Sequence, residues 1–201
     1  MALTHSTMLP LGTPLPSFEL PDVTSGIMFT SSQFSEKQGI LVMFICRHCP
    51  YVVHVQEELS RLDCDYYDKG LGMVAISSND VDHYPDDRPQ RLKAMAQELG
   101  FRFPYCYDES QEVAKLFTAA CTPDFFLFDA NQRLVYRGQL DSSRPGNNQA
   151  VTGTDLRAAI DAVLAKQPVN KDQCPSAGCN IKWKLGGNPS CLLYTSDAAD
   201  E

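Results

Sequence analysis

Cys46-Arg47-His48-Cys49 is the part of this sequence best equipped for chemistry. Two thiols three positions apart can close a small disulfide ring and reopen it, cycling two electrons without a bound cofactor. The attacking species in such a cycle is a thiolate, so the surroundings that set the thiol pKa decide reactivity. The pair follows an apolar run, Ile40-Leu41-Val42-Met43-Phe44-Ile45, and precedes Pro50 and a helical pattern. A helix N-terminus offers free N–H groups and partial positive charge, to which Arg47 and a protonated His48 would add. Cys46 is therefore expected to be the nucleophile, its pKa depressed into the C-x-x-C range of about 3.5–7.5. Cys49, expected one turn into the helix and more buried, is placed to resolve a mixed disulfide.

A second landmark is Ala120-Cys121-Thr122-Pro123. A proline at a strand entrance is compatible with a cis peptide, which would turn the Thr122 backbone toward the dithiol and leave it free to pair with an extended substrate chain. Cys121 then reads either as an alternative resolving thiol or as a packing residue. Cys174 and Cys179, on a C-terminal tail, either fold back to exchange with the central pair or form an exposed clasp; the clasp is the simpler expectation. Cys64 and Cys106 are assigned to packing, and the loop around Asp86-Asp87-Arg88 to a solvated face. Zinc would need a second half-site, and the spacing of Cys174 and Cys179 is wrong for one, so no metal is expected. A copper site using His54 or His83 is the metal alternative, although these histidines read as helix-surface and loop residues.

The elements that position this chemistry follow from periodicity. Phe18, Leu20, Ile27 and Phe29, among prolines and Gly26, suggest an N-terminal hairpin. The run from Ile40 has the length and composition of a central strand covered on both faces. Val52, Val55, Leu59, Leu62 and Tyr66 make one helical stripe that Gly70 closes, and Met73–Ile76 returns as a second buried strand. Leu92, Met95, Ala96 and Leu99 predict a helix stopped by Gly100. Val113, Leu116 and Phe117 predict another, with Asp108 and Gln111 spaced as a capping box. Phe125–Phe128 and Leu134–Arg137 read as an antiparallel hairpin, and Leu156, Ile160, Val163 and Leu164 as the last helix. The order β, α, β, two helices, β, β, α implies an α/β domain: a central mixed β-sheet flanked by helices on both faces, with the hairpin as an N-terminal extension. Residues 1–166 form that domain, 167–191 a cysteine-containing tail, and 192–201 resemble non-native read-through.

Composition bounds the function. The 201 residues are 43% hydrophobic and 21% charged, an ordinary globular balance, and one domain with a modest surplus is expected. The net charge of −8 repels phosphate backbones and anionic lipid, so neither nucleic acid nor membrane is an expected partner. No apolar run approaches the roughly 20 residues of a membrane span. Eight cysteines with no visible export signal point to a cytoplasmic protein whose thiols are catalytic rather than a disulfide framework.

Three stretches carry a family resemblance. Phe44-Ile45-Cys46-x-His48-Cys49-Pro50-Tyr51-Val52, Ala120-Cys121-Thr122-Pro123-Asp124-Phe125-Phe126-Leu127-Phe128-Asp129 and Gly178-Cys179-Asn180-Ile181-Lys182-Trp183-Lys184 resemble the peroxiredoxin-like, AhpC/TSA-type proteins of the thioredoxin superfamily, from about Gly12 to Lys184. The resemblance implies a thioredoxin-like fold with redox-active cysteines. Departures narrow it: neither Cys46 nor Cys49 sits in a P-x-x-x-T-x-x-C peroxidase motif, and the buried aspartate usual in thioredoxin falls on Met43. Histidine at the second intervening position resembles strongly oxidising disulfide oxidoreductases, which implies a dithiol less reducing than thioredoxin's. The expected function is thiol-disulfide exchange in antioxidant or redox homeostasis. The expected partners are protein or small-molecule thiols and disulfides, with a reductant such as thioredoxin or glutathione. Peroxide reduction is a variant of this expectation, and a non-enzymatic metal- or partner-binding module is the alternative from another class.

Overall fold

Residues 39–44 carry no polar side chain, so this segment has nothing to present to water on either face and must be covered twice. The computed structural model describes residues 3–187; Cys191 and the 192–201 stretch lie outside them. The strands are β1 (Leu3–His5), β2 (Glu19–Pro21), β3 (Met28–Thr30), β4 (Gly39–Phe44), β5 (Leu71–Ser77), β6 (Tyr105–Tyr107), β7 (Cys121–Thr122), β8 (Asp124–Asp129), β9 (Leu134–Gly138) and β10 (Ala177–Asn180). The helices are α1 (Pro50–Tyr66), α2 (Pro89–Leu99), α3 (Glu112–Leu116) and α4 (Thr154–Leu164).

β4 is central in a five-stranded mixed sheet of order β6-β5-β4-β8-β9. It runs parallel to β5 and antiparallel to β8, with β6 parallel to β5 and β9 antiparallel to β8. Alternation along β4 divides the core. Leu41, Met43 and Ile45 join Val52, Leu59 and Leu62 of α1, Leu92 and Met95 of α2, and Leu156 and Ile160 of α4. Ile40, Val42 and Phe44 face the other way, onto Val113 and Phe117 at α3 and onto Phe18, Leu20 and Phe29 of the β2–β3 hairpin. Each such side chain removed from water contributes about 1.5–3 kcal/mol, so the register of β4 is strongly held. Edge-to-face contacts among Phe44, Phe117 and Phe126, with centroids 5.4–5.9 Å apart, order the second half of the core.

The scaffold around the site departs from the sequence reading at several points. β6 is an edge strand missing from the expected order: three residues after Pro104 are too few for a period to register. The capping box does not form, because Gln111 adopts φ 64° and sends its side chain to the carbonyls of Ser78 (2.6 Å) and Lys182 (2.9 Å). Asp108 and Ser110 serve the start of α3, Asp108 accepting from the Ala114 N–H at 2.9 Å and Ser110 Oγ from the Glu112 N–H at 3.3 Å. Cys64, assigned to packing, lies exposed on α1.

The segment after Lys166 ends in a second sheet. β10 is its middle strand, antiparallel to β1 on one side and β7 on the other, and it pairs Cys179 with Thr122 and Asn180 with Cys121. Gly178 makes this approach possible: a Cβ there would overlap the Thr122 carbonyl. Gly178→Ala is therefore expected to destabilise the fold by about 1–3 kcal/mol, the range for forced overpacking, as read by urea denaturation. An unchanged midpoint would mean that β10 is free to shift.

Candidate redox site

The site forms where β4 gives way to α1, beyond the carboxyl end of the strand, as ligand sites do in α/β sheets. Cys49 is the N-cap of α1, and its carbonyl accepts from Val52 and Val53, each at 3.0 Å. Cys46 lies in the loop before the helix. This placement differs from the expectation, which put Cys46 at the helix terminus and Cys49 a turn inside. Pro50 at the first helical position starts the helix one residue after Cys49, so the helix dipole acts on Cys49.

Both thiols are buried, at 1% and 0% exposure, and they hydrogen bond to each other. Cys46 Sγ is 3.4 Å from Thr122 Oγ1, and Cys49 Sγ is 3.1 Å from the Thr122 carbonyl oxygen. A protonated Cys49 donates to that carbonyl. An ionised Cys49 instead accepts from the Cys46 thiol, the Cys179 thiol, the Thr122 side chain and the Cys179 N–H, a larger set of donors. The charge of the pair therefore rests on Cys49, whose pKa is lowered. Cys46 keeps its proton, raised first by its hydrogen bond to Cys49, then by burial and the nearby Asp87 charge. The expected depression of the Cys46 pKa is thus reversed.

Arg47 and His48 do different work from that expected. Arg47 extends away to Glu98 at 3.4 Å and to the Arg91 carbonyl at 3.1 Å. His48 Nδ1 meets Asp87 Oδ2 at 2.5 Å, and this hydrogen bond raises the His48 pKa against the cost of its partial burial. The sequence places Asp87 on a solvated face, yet it is fully buried beneath the loop. Burial alone would raise its pKa; the hydrogen bonds from His48 and Asn79, the His48 charge and the Arg47 N–H outweigh that and lower it. Its Oδ1 accepts the N–H groups of Arg47 (2.8 Å) and His48 (3.2 Å), while Oδ2 also accepts from Asn79 Nδ2 (2.8 Å). One carboxylate thereby fixes the backbone between the two cysteines. No periodic signal marks such a residue, because its partners lie 39 and 40 positions away.

The C-terminal segment completes the enclosure. Asn79 Oδ1 accepts from the Lys182 N–H at 2.8 Å, and Tyr84 stacks on His48 with centroids 5.4 Å apart while Lys182 Nζ sits 5.6 Å from the Tyr84 ring centre. The Thr122–Pro123 peptide is cis. The sequence leads one to expect the Thr122 backbone free for an extended substrate chain; instead β10 already pairs there. Cys179 is buried against Cys49, and burial followed by that hydrogen bond pushes its pKa up to about 12. Cys174 is exposed. Cys121 is buried and donates to the Pro123 carbonyl at 3.7 Å, with burial and then the Asp124 charge raising its pKa far above the usual thiol value. Asp124, the residue after Pro123, is fully buried and pushed up to about 7 by desolvation.

For metals, Cys46, His48 and Asp87 have ligand atoms within 4.8 Å of one another, but both Asp87 oxygens already accept hydrogen bonds from protein groups. The two histidines weighed as copper ligands lie apart from that cluster. His83 is an exposed side chain paired with Asp80 at 2.6 Å, and His54 lines a small cavity together with Pro123 and Arg144.

Buried dithiol, helix terminus and cis-proline strand on this sheet define a thioredoxin-like fold. Residues 10–156 match the Redoxin family model, and the chain belongs to that family. It is similar to an uncharacterised conserved protein from Geobacillus kaustophilus, with 52% identity and TM-score 0.90 over 92% of this chain and 97% of that one. It is also similar to a hypothetical protein from Sinorhizobium meliloti 1021, at 49% identity and TM-score 0.89, covering 91% and 100%. A thiol:disulfide interchange protein of the thioredoxin family from Chlorobium tepidum TLS shares the fold, at 18% identity and TM-score 0.60 over 76% of this chain and 97% of that one. A search of curated proteins found no match.

Proposed function

We propose that the protein is a thiol-disulfide oxidoreductase whose working group is the Cys46–Cys49 dithiol, with no cofactor beyond the disulfide it forms. The carrying observation is two buried cysteines three positions apart where β4 hands over to α1, with Cys49 capping the helix and both sulfurs against Thr122 of the cis Thr122–Pro123 peptide. Cys46 is the attacking residue, because it sits in the loop ahead of the helix whereas Cys49 is pinned as its N-cap between Thr122 and Cys179. The proton Cys46 must lose passes along the hydrogen bond to Cys49. The substrates are protein or small-molecule disulfides, and a dithiol such as thioredoxin or a thiol such as glutathione resets the pair. Peroxide reduction is left out of the proposal: Arg47, the cation next to Cys46 in the chain, is turned to Glu98.

The same electrostatics set the direction. Donors that stabilise the Cys49 thiolate stabilise the reduced state, since the disulfide carries no charge for them to act on. The reduction potential is therefore expected to lie above thioredoxin's value of about −270 mV. Titration of the full chain against glutathione, with acid quenching, thiol trapping and mass mapping, measures it. A two-electron couple at Cys46–Cys49 above that value is the expected result. A potential at or below it would overturn the direction, and the lack of any such couple would overturn the reading.

A further inference from the structure

Cys49 has a thiol on each side. Cys46 is one neighbour; the other is Cys179, which shares a hydrogen bond with the Cys49 side chain and directs its backbone N–H to the same sulfur. Cys179 is not brought there by a loose tail. It lies on the middle strand of a three-stranded sheet, in register opposite Thr122, whose carbonyl is 3.1 Å from Cys49 Sγ. Further ties hold that strand on both flanks: Ser176 Oγ to the Gly138 carbonyl at 2.6 Å and the Ile181 N–H to the Ala120 carbonyl at 3.1 Å. Gly178 allows the backbones to approach this closely. The other cysteines do not share the position: Cys121 bonds to Pro123 and Cys174 is exposed.

We propose that Cys179 is a third redox residue, which takes the disulfide over from Cys46 by attacking Cys49. The inference rests on the oxidoreductase reading above. Once a substrate disulfide has been reduced and Cys46–Cys49 has closed, the Cys179 sulfur forms a bond to Cys49 Sγ. The Cys46–Cys49 bond breaks, its electron pair leaves on Cys46, and Cys46 takes the proton that Cys179 gives up. Nothing is oxidised overall, since one disulfide is exchanged for another. Cys46 is then a free thiol again, and the oxidising equivalent is stored at Cys49–Cys179 until an external dithiol reduces it. The reaction also removes the second of the two causes that hold the proton on Cys179 in the resting state: burial remains, but a Cys49 in a disulfide carries no charge for that proton to bond.

Disulfide mapping of the full chain tests this. Glutathione disulfide is the oxidant, and samples are quenched in acid and alkylated. Trypsin cleaves after Arg47 and so separates Cys46 from Cys49, while fragmentation of peptide 172–182 tells Cys179 from Cys174. The wild type is expected to give both the Cys46–Cys49 and the Cys49–Cys179 links. Cys46→Ser is expected to give Cys49–Cys179 as its main product, and Cys46→Ser combined with Cys179→Ser only a glutathione adduct on Cys49. A glutathione adduct in Cys46→Ser with no Cys49–Cys179 link would overturn the proposal. Should Cys46→Ser fail to fold, the wild-type map decides: a Cys46–Cys49 link without Cys49–Cys179 defeats this inference alone. Loss of the Cys46–Cys49 link itself defeats the parent reading.

Discussion

Cys46→Ser is expected to reduce disulfide turnover by about three orders of magnitude or more, the scale seen when a covalent nucleophile is removed. Serine keeps the size of the side chain and its contact with Thr122 Oγ1, so the fold should survive while the attacking sulfur is lost. Cys49→Ser is expected to behave differently. Attack by Cys46 still occurs, but the thiol that resolves it is gone, and a mixed disulfide accumulates on Cys46. Steady-state turnover distinguishes the first variant, and intact mass after acid quenching the second. Turnover of Cys46→Ser within a few-fold of wild type would sink the assignment, and an adduct found on Cys49 in the wild type would exchange the two roles.

The second large effect concerns Asp87, which is expected to cost about 3–5 kcal/mol when changed to alanine, as for breaking a buried ion pair. Such a loss is a large part of the 5–15 kcal/mol typical of a whole domain and should lower Tm by about 10 °C. The cause is local: without the carboxylate, the N–H groups of Arg47 and His48 and the amide of Asn79 lose their acceptor, and the His48 cation loses its partner. Asp87→Asn separates these contributions, since an amide oxygen still accepts from the two backbone groups but bears no charge. The folded pKa of Asp87 lies below its ordinary 3.8, so its stabilisation is full above that pH and is lost as the pH falls through the folded value. The folded pKa of His48 lies above 6.5, so its stabilisation is full below 6.5 and is lost as the pH rises through the folded value. The stability gap between wild type and Asp87→Asn should thus be widest between about pH 4 and 6.5 and narrow on the alkaline side. Urea denaturation across pH 5–9 measures the gap. A flat profile would mean that hydrogen bonding alone holds the loop. Because the Asp87 charge helps to keep the proton on Cys46, the same substitution should also speed alkylation of Cys46 near neutral pH.

The main elements were legible because their signals are local. A six-residue apolar run has the length of a doubly covered strand, a stripe at three- and four-residue steps buries one helical face, and glycines adopt the left-handed conformation at Gly100, which closes α2, and at Gly70, which closes the 3-10 turn Tyr67–Lys69 that follows α1. The C-x-x-C and its place between strand and helix were equally plain, since composition and order along the chain are enough to find them. Other features arise only when distant segments meet. Asp87 reads as one more charge in a polar loop until folding places it under the Arg47–His48 backbone and excludes water from it. Cys179 reads as a tail residue until β10 inserts between β1 and β7. The ionisation of the dithiol follows the same rule. From sequence, Cys46 should carry the charge; in the folded protein the donors converge on Cys49, because Pro50 starts the helix there and the Cys179 strand lies against it. Sequence alone determined which residues are candidates for the chemistry, because residue type and spacing are properties of the chain. Tertiary structure decided where the proton and the charge reside, because electrostatic energy depends on distances in space and on the exclusion of water, and neither exists until the chain has folded.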